Sequence, residues 1–422
     1  ENKTKMGYWM NEILKNADIL LPKDGIDLQK WSVIACDQYT SEPEYWDSVE
    51  TFVGENPSAL HMIYPEIYLE EGEDRIGKIN ETMRGYLANG LFQKLPSSYV
   101  YVERRTLNGK IRRGLVGRVD LEEYDYSRDS KAKIRATEGT VLERIPPRVK
   151  IRKDAPLESP HIMLFADDPD NLLLGSAERA KGDKLYDFEL MRGGGQIRGY
   201  RISAENQQGI AEALKTLADP DRFYQKYGTK DVMLFAVGDG NHSLATAKEC
   251  WNQLKASLPE QERQNHPARF ALVEIVNLYD PSIVFEGIHR VVFDCDPEQL
   301  LRELEAYCKP DGGDVHTITC CMGGKQFALQ IPKSLDVLAV GALQKFLDDY
   351  LARHAGRIDY IHGEGAVQKL SEKKNSIGFL LPAIEKEAFF ESIVQGGPLP
   401  RKTFSMGDAD EKRYYLECRQ LS

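Results

Sequence analysis

Asp231-Val232-Met233-Leu234-Phe235-Ala236-Val237 runs into Gly238-Asp239-Gly240-Asn241-His242, and residues 243–258 follow with SLATAKECWNQLKASL. The opening run is apolar at strand length, the glycine-flanked pentapeptide is a tight turn, and the closing stretch spaces its apolar residues as a helix does. A strand, a turn and a helix joined within so few residues form a building unit of an α/β protein. Upstream, residues 19–21 and 31–36 read as strands, the second ending in Asp37-Gln38-Tyr39-Thr40, and a helix is expected from Pro43. Ile76, Ile79, Met83, Tyr86 and Leu87 follow the three-and-four spacing of an amphipathic helix over residues 73–91. Residues 99–102 and 114–119 read as a hairpin around Asn108-Gly109, the favoured type I′ pair.

Residues 131–153, KAKIRATEGTVLERIPPRVKIRK, are basic and marked by proline, with little periodicity, and read as an extended loop. Residues 161–166 form a strand and 172–180 a helix. A second hairpin over 186–202 turns at Gly193-Gly194-Gly195, and residues 206–217 are helical. Beyond the central turn, residues 270–276 and 283–293 are strands. From Pro297 to Val394 helices and strands alternate as a self-contained unit, which sets a cut near Asp296. A polar tail over 396–405 leads to a final strand over 413–418. The expected organisation is a mixed α/β protein with a main domain of residues 1–295 rejoined by a tail over 398–422, and a smaller α/β domain over 296–397.

The chain has 422 residues, 41% hydrophobic and 29% charged, with 55 Lys and Arg against 66 Asp and Glu. That balance suits a globular protein of two or three domains, and excludes a disordered chain. A net charge of -11 offers no global attraction for a nucleic-acid backbone or an anionic membrane, so neither is an expected partner. The seven Cys form no framework of pairs, and residues 1–15 lack the basic and then apolar blocks of a secretory leader. The cysteines are expected as buried thiols in a reducing cytoplasm.

Three stretches carry chemistry. The start of a helix points backbone N–H groups outward and favours an anion, so Gly238, Gly240, Asn241, His242 and Ser243 are candidates to hold phosphate, with Asp239 beside them as a base or metal ligand. The competing reading is a plain strand-to-helix turn capped by Asn241 or Ser243. A dinucleotide fingerprint does not fit, because Ser243 stands where GxGxxG needs its third glycine. In the basic stretch, Arg135, Arg144, Arg148, Lys150 and Arg152 accompany Glu138 and Glu143. Arginine in a loop suits phosphate, and a solvated edge paired with acids suits it equally. Arg401-Lys402-Thr403 follows Gly396-Gly397 and has the makings of a phosphate cradle, although GxxxxGK[ST] is not matched.

The run 135–148, the turn Asp239-Gly240-Asn241-His242, the segment 286–292 (EGIHRVV), Asp359-Tyr360-Ile361-His362 and Leu399-Pro400-Arg401-Lys402-Thr403 resemble, in that order, the domain-of-unknown-function family 1015. More distantly, the turn is similar to the Asp-Gly-His-His-Arg signature of archaeal free serine kinases of the ParB and sulfiredoxin-like superfamily. Their Pro-Lys-Thr-Thr ending is similar to the segment from Arg401 to Phe404. The resemblance implies a ParB/sulfiredoxin-like core and a phosphotransferase that carries a phosphoryl group from ATP or ADP, with Mg²⁺, to the hydroxyl of a small amino-acid-like substrate. It implies catalytic roles for Asp239, Glu143 and His242, with Glu138 a weaker match for the second carboxylate and Asp239 a possible Mg²⁺ ligand. Phosphates would be held by Gly238, Gly240, Asn241, Ser243, Lys402 and Thr403, and His289, Arg290 and His362 would contact or support the substrate. Asn241 replaces the signature's first His and Ser243 its Arg, so either Arg144 or Arg148 supplies the missing cation, or this branch has changed substrate or lost the reaction. The resemblance also brings the tail back to the first domain, with the nucleotide between the two. The alternative is a nucleotide-binding switch of ParB type without turnover.

Overall fold

The computed structural model describes residues 13–140 and 142–421. The leader expectation therefore falls mostly outside the described residues, as does Val141 of the basic motif. The chain is mixed α/β, and it divides into two compact units: residues 1–136, 140–283 and 408–422 form the first, and residues 137–139 and 284–407 the second.

The first unit is built on a mixed sheet of eleven strands among the described residues. Its main path runs Tyr124–Asp125, Ile134–Arg135, Phe235–Asp239, Met163–Ala166, Phe270–Asn277, Ile111–Asp120, Phe92–Arg105, Gln196–Ile202 and Lys184–Glu189. Phe270–Asn277 is buried at every position, which is why FALVEIVN is almost wholly apolar. Its polar exceptions are paired: Glu274 Oε2 accepts from Arg413 Nε at 2.7 Å, and Asn277 Nδ2 donates to the Asp168 carbonyl at 2.8 Å. Gly114 lies under that glutamate, where a Cβ would collide with Glu274 Oε1. One buried cluster gathers Trp31, Trp46, Val100, Val102, Val116 and Leu272 with Tyr414, Tyr415 and Leu416 from the chain's end.

The second unit is built on a five-stranded sheet, ordered Lys325–Pro332, Val315–Met322, Ser376–Leu380, His289–Phe293 and Arg357–Ile361. His289–Phe293 pairs on both sides here, so Asp296 lies within this unit, and so does the tail up to Gly407.

Several local expectations need correction. The basic stretch is not an extended loop: Leu142–Arg144 is a 3-10 turn and Ile145–Lys153 an α-helix, begun by prolines that need no N–H partner in a first turn. Ile145 and Val149 bury against Ala245 of the helix Asn241–Ser257. The first hairpin closes through a Thr106–Lys110 hydrogen bond with only Gly109 left-handed (φ 81°), so its turn is not the type I′ pair. Residues 31–36 and 413–418 do not form full strands: Trp31 ends a short helix, Leu28–Trp31, and the segments carry isolated bridges, Ile34 to Tyr414 and Leu20 to Cys418. The central strand starts at Phe235, later than its apolar run suggests.

Candidate functional site

The strand Phe235–Asp239 lies between a parallel neighbour, Ile134–Arg135, and an antiparallel one, Met163–Ala166. Pairing with the latter shifts register between Val237 and Asp239, a bulge at Gly238 that re-aims Asp239 at the strand's carboxyl end. Gly240 then turns the chain with φ 81°, its Cα side pressed so close that a Cβ would meet Ile162 Cα at 3.1 Å. The N-cap position of the helix Asn241–Ser257 is Gly240, which has no side chain to give, so neither Asn241 nor Ser243 occupies it.

Asp239 is largely buried, with 15% of its side chain exposed. Oδ1 accepts from the Gly240 N–H at 3.1 Å, whereas Oδ2 is buried without a hydrogen-bond partner, its nearest cation being Lys412 Nζ at 3.8 Å. Lys412 is held from behind: the buried Arg104 donates to the carbonyls of Asp410, Lys412 and Gly194, and Arg112 donates to that of Glu411. Burial pulls the Arg104 guanidinium down to about 10, still charged at neutral pH.

Next to the turn is a second polar group. Tyr415 OH accepts from the Cys36 N–H at 3.1 Å and lies at hydrogen-bond distance, 2.7 Å, from His161 Nδ1. The other ring nitrogen of His161, Nε2, lies 3.4 Å from Ser243 Oγ and 3.7 Å from Asp37 Oδ2. Burial pushes the Asp37 carboxyl up, but His161, the Gln38 amide and Lys412 more than offset it, and Asp37 ends below the usual carboxylate range. Serine and aspartate approach the same imidazole nitrogen, which is not the arrangement of a nucleophilic triad. Burial pushes the Cys36 thiol up to about 12, consistent with a structural thiol.

Of the basic stretch, Arg135 is buried and donates to the Ala132 and Asp231 carbonyls. Arg148 pairs with Glu66 and Arg152 with Glu158, while Lys150 reaches Glu73 at 3.2 Å. Glu143 and Arg144 are exposed at the start of the basic helix.

The sequence family described as a protein of unknown function (DUF1015) matches residues 20–350. The chain belongs to this family. Among solved structures, this DUF1015 chain is similar to a free serine kinase variant in complex with ADP, at 12% identity over 75% of this chain and 95% of the kinase, with a TM-score of 0.38. It is also similar to a conserved hypothetical protein from Pyrococcus furiosus (14% identity, 71% and 90% coverage, TM-score 0.32). SbnI with a C-terminal truncation, from Staphylococcus aureus, is similar at 10% identity, with 69% and 83% coverage and a TM-score of 0.34. No curated protein matches the chain.

The remaining candidates lie in the second unit of the DUF1015 chain. Arg290 is wholly buried, donates to Gln344 Oε1 at 3.1 Å, and holds the carbonyls of Lys402 and Arg401 at 2.8 and 3.3 Å. It is a clamp on the tail. Lys402 is exposed and left-handed, with φ 56°, and Thr403 is buried with its hydroxyl donated to the Pro400 carbonyl. Glu138 bridges Leu399. His289 is buried, accepts from the Leu381 N–H at 3.1 Å, and is held by burial below its ordinary pKa, whereas His362 is exposed.

Asp37, His161, Tyr415 and Lys412 were not singled out from the sequence. Asp37 left a trace as the polar residue that ends an apolar run. Lys412 left none, since it sits in a charge-dense stretch (DADEKR) like many on a surface. Among the described residues no helix is long and apolar enough to cross a membrane.

Proposed function

We propose that the DUF1015 chain is a nucleotide-dependent phosphotransferase acting on the hydroxyl of a small amino-acid-like molecule. One observation carries the reading: Asp239, with an unpartnered buried oxygen, stands beside the Lys412 ammonium at the start of a 17-residue helix whose N-cap is Gly240. A carboxylate at a phosphate-attracting helix start is repelled by the anion unless it takes a proton or binds a metal ion. The likeness of Asp239-Gly240-Asn241-His242 to the serine-kinase signature points the same way.

In this reading the terminal phosphate rests on the turn's N–H groups and Lys412. The acceptor oxygen bonds to phosphorus as the bond to the bridging oxygen breaks, the hydroxyl proton passes to Asp239, and the nucleotide leaves one phosphate shorter. Glu143 and His242 are further candidates in this chemistry, and Lys412 supplies the cation that Ser243 lacks relative to the signature's Arg. Phosphoryl transfer depends on such placement and charge neutralisation more than on covalent groups.

Mg²⁺ fits only in part. Asp239 Oδ2 is a suitable hard ligand, yet the described residues contain no group of three metal-ligating side chains, so the ion would be held mainly by the nucleotide's phosphates. When bound it would neutralise phosphate charge.

The departure at Ser243 favours a second reading, a nucleotide-binding switch without turnover. Incubation with ATP, ADP or CTP and a panel of small hydroxy acids and hydroxy amino acids, L-serine among them, separates them. A phosphorylated acid supports the kinase, a raised melting temperature without product from any of the panel supports the switch, and the absence of both product and shift removes both.

A further inference from the structure

Beside the turn, the first unit holds a partly open cavity of about 160 Å³. An engineered cavity of roughly that size admits benzene, so the space suits about six to ten non-hydrogen atoms. Its walls include Met62, Ile63, Met83, Ile151 and Leu157, an apolar lining with adaptable methionines. One polar group of the lining is His161 with Ser243, the third residue of the helix that starts at the turn, so the cavity adjoins the place assigned above to the phosphate. Another is Arg148 and Arg152, one turn apart on the basic helix. Among the described residues, Arg152 donates to Glu158, and Arg148 to Glu66 and the Arg144 carbonyl. Each guanidinium has five N–H donors, so both keep donors for a carboxylate.

We infer that this cavity is the acceptor site and that its occupant is a small hydroxy acid or amino acid whose hydroxyl-bearing carbon also carries an apolar group. The inference rests on the phosphotransferase reading for the word acceptor; the binding it describes does not. The hydroxyl lies at His161 and Ser243, the carboxylate at Arg148 and Arg152, and the apolar group against the methionines. L-Serine would satisfy the polar groups and leave the apolar wall unfilled.

The test compares L-serine with 3-hydroxyleucine, which is serine bearing an isopropyl group on its hydroxyl carbon, by calorimetry on the full chain, with nucleotide-induced thermal shifts measured alongside. We expect 3-hydroxyleucine to bind at least tenfold more tightly than L-serine. Ile151→Trp, which fills the cavity from a half-buried position, should abolish that binding and leave the nucleotide shift intact, and Arg148→Met should weaken it. Equal or tighter binding of L-serine overturns the assignment, as does full 3-hydroxyleucine affinity in a folded Ile151→Trp protein. If that variant does not fold, the comparison of the two acids on the wild-type chain decides alone. Absence of any nucleotide shift, with the acid still bound, would instead count against the phosphotransferase reading and leave the cavity's ligand class standing.

Discussion

Asp239 has two oxygens in different surroundings, one bonded to the Gly240 N–H and one buried without a partner. Replacing it by Asn keeps the shape and the first contact, so Asp239→Asn should fold normally, shown by circular dichroism, and lose turnover by a factor of at least about 100, the usual scale of a positioned acid or base. Glu158 is a residue of the opposite kind, buried to hold structure. Burial pushes its carboxyl up, but Arg419 and Arg152 more than offset it and hold it below the ordinary value, helped by the Leu272 N–H. A lowered folded pKa contributes stability above the unfolded value of about 4.3, and that stability is lost as pH falls through the folded value. Glu158→Gln should therefore cost about 3 to 5 kcal/mol at pH 7, because two arginines lose their counter-charge, and the deficit should shrink in denaturant melts as the pH is lowered below 4.3. The sequence made Asp239 visible because glycines isolate it in a turn, whereas Glu158 sits in LESPH with nothing to mark the two arginines that meet it.

Elements show where local pattern misleads. IPPRVKIRK has few apolar residues and two prolines, yet it is helical, because Ile145 and Val149 suffice to seat it on Ala245 and its prolines fall in the first turn. Trypsin should accordingly cut this stretch first at Arg144 in the exposed 3-10 turn. Ile145→Ala, which removes a buried anchor at a cost of about 2 to 4 kcal/mol, should spread cutting to Arg148, Lys150 and Arg152. The tail segment around Lys402 is bent by Arg290, whose bonds to two successive carbonyls hold Lys402 left-handed. That conformation costs a side-chain-bearing residue about 1 to 2 kcal/mol, so Lys402→Gly should raise stability by about 0.5 to 1 kcal/mol after allowing for glycine's looser unfolded chain. Lys402→Met keeps the strain and should leave stability within about 0.5 kcal/mol. Calorimetric nucleotide affinity of Lys402→Met then isolates the charge. Such a bend was illegible beforehand, because its cause lies more than a hundred residues upstream in Arg290.

At the scale of the whole chain, the mixed α/β class was legible in the alternation of strand and helix periods, and the family in the order of five motifs. The site was legible only where one continuous stretch, residues 238–243, makes it. Asp37, His161, Lys412 and Tyr415 come from three other parts of the first unit, and only folding gathers them. The same distance hid the unit boundary, since His289–Phe293 reads as the end of the first domain until its two partner strands are seen. Phosphoryl transfer by this gathered group is tested by phosphorus NMR of wild-type and Asp239→Asn protein incubated with ATP or ADP, Mg²⁺ and the hydroxy amino acids named above. The wild type should give a new phosphate-ester signal with matching loss of the nucleotide's terminal phosphate and the variant none; no ester signal in the wild type would contradict transfer, and one of equal size in both would contradict the part given to Asp239.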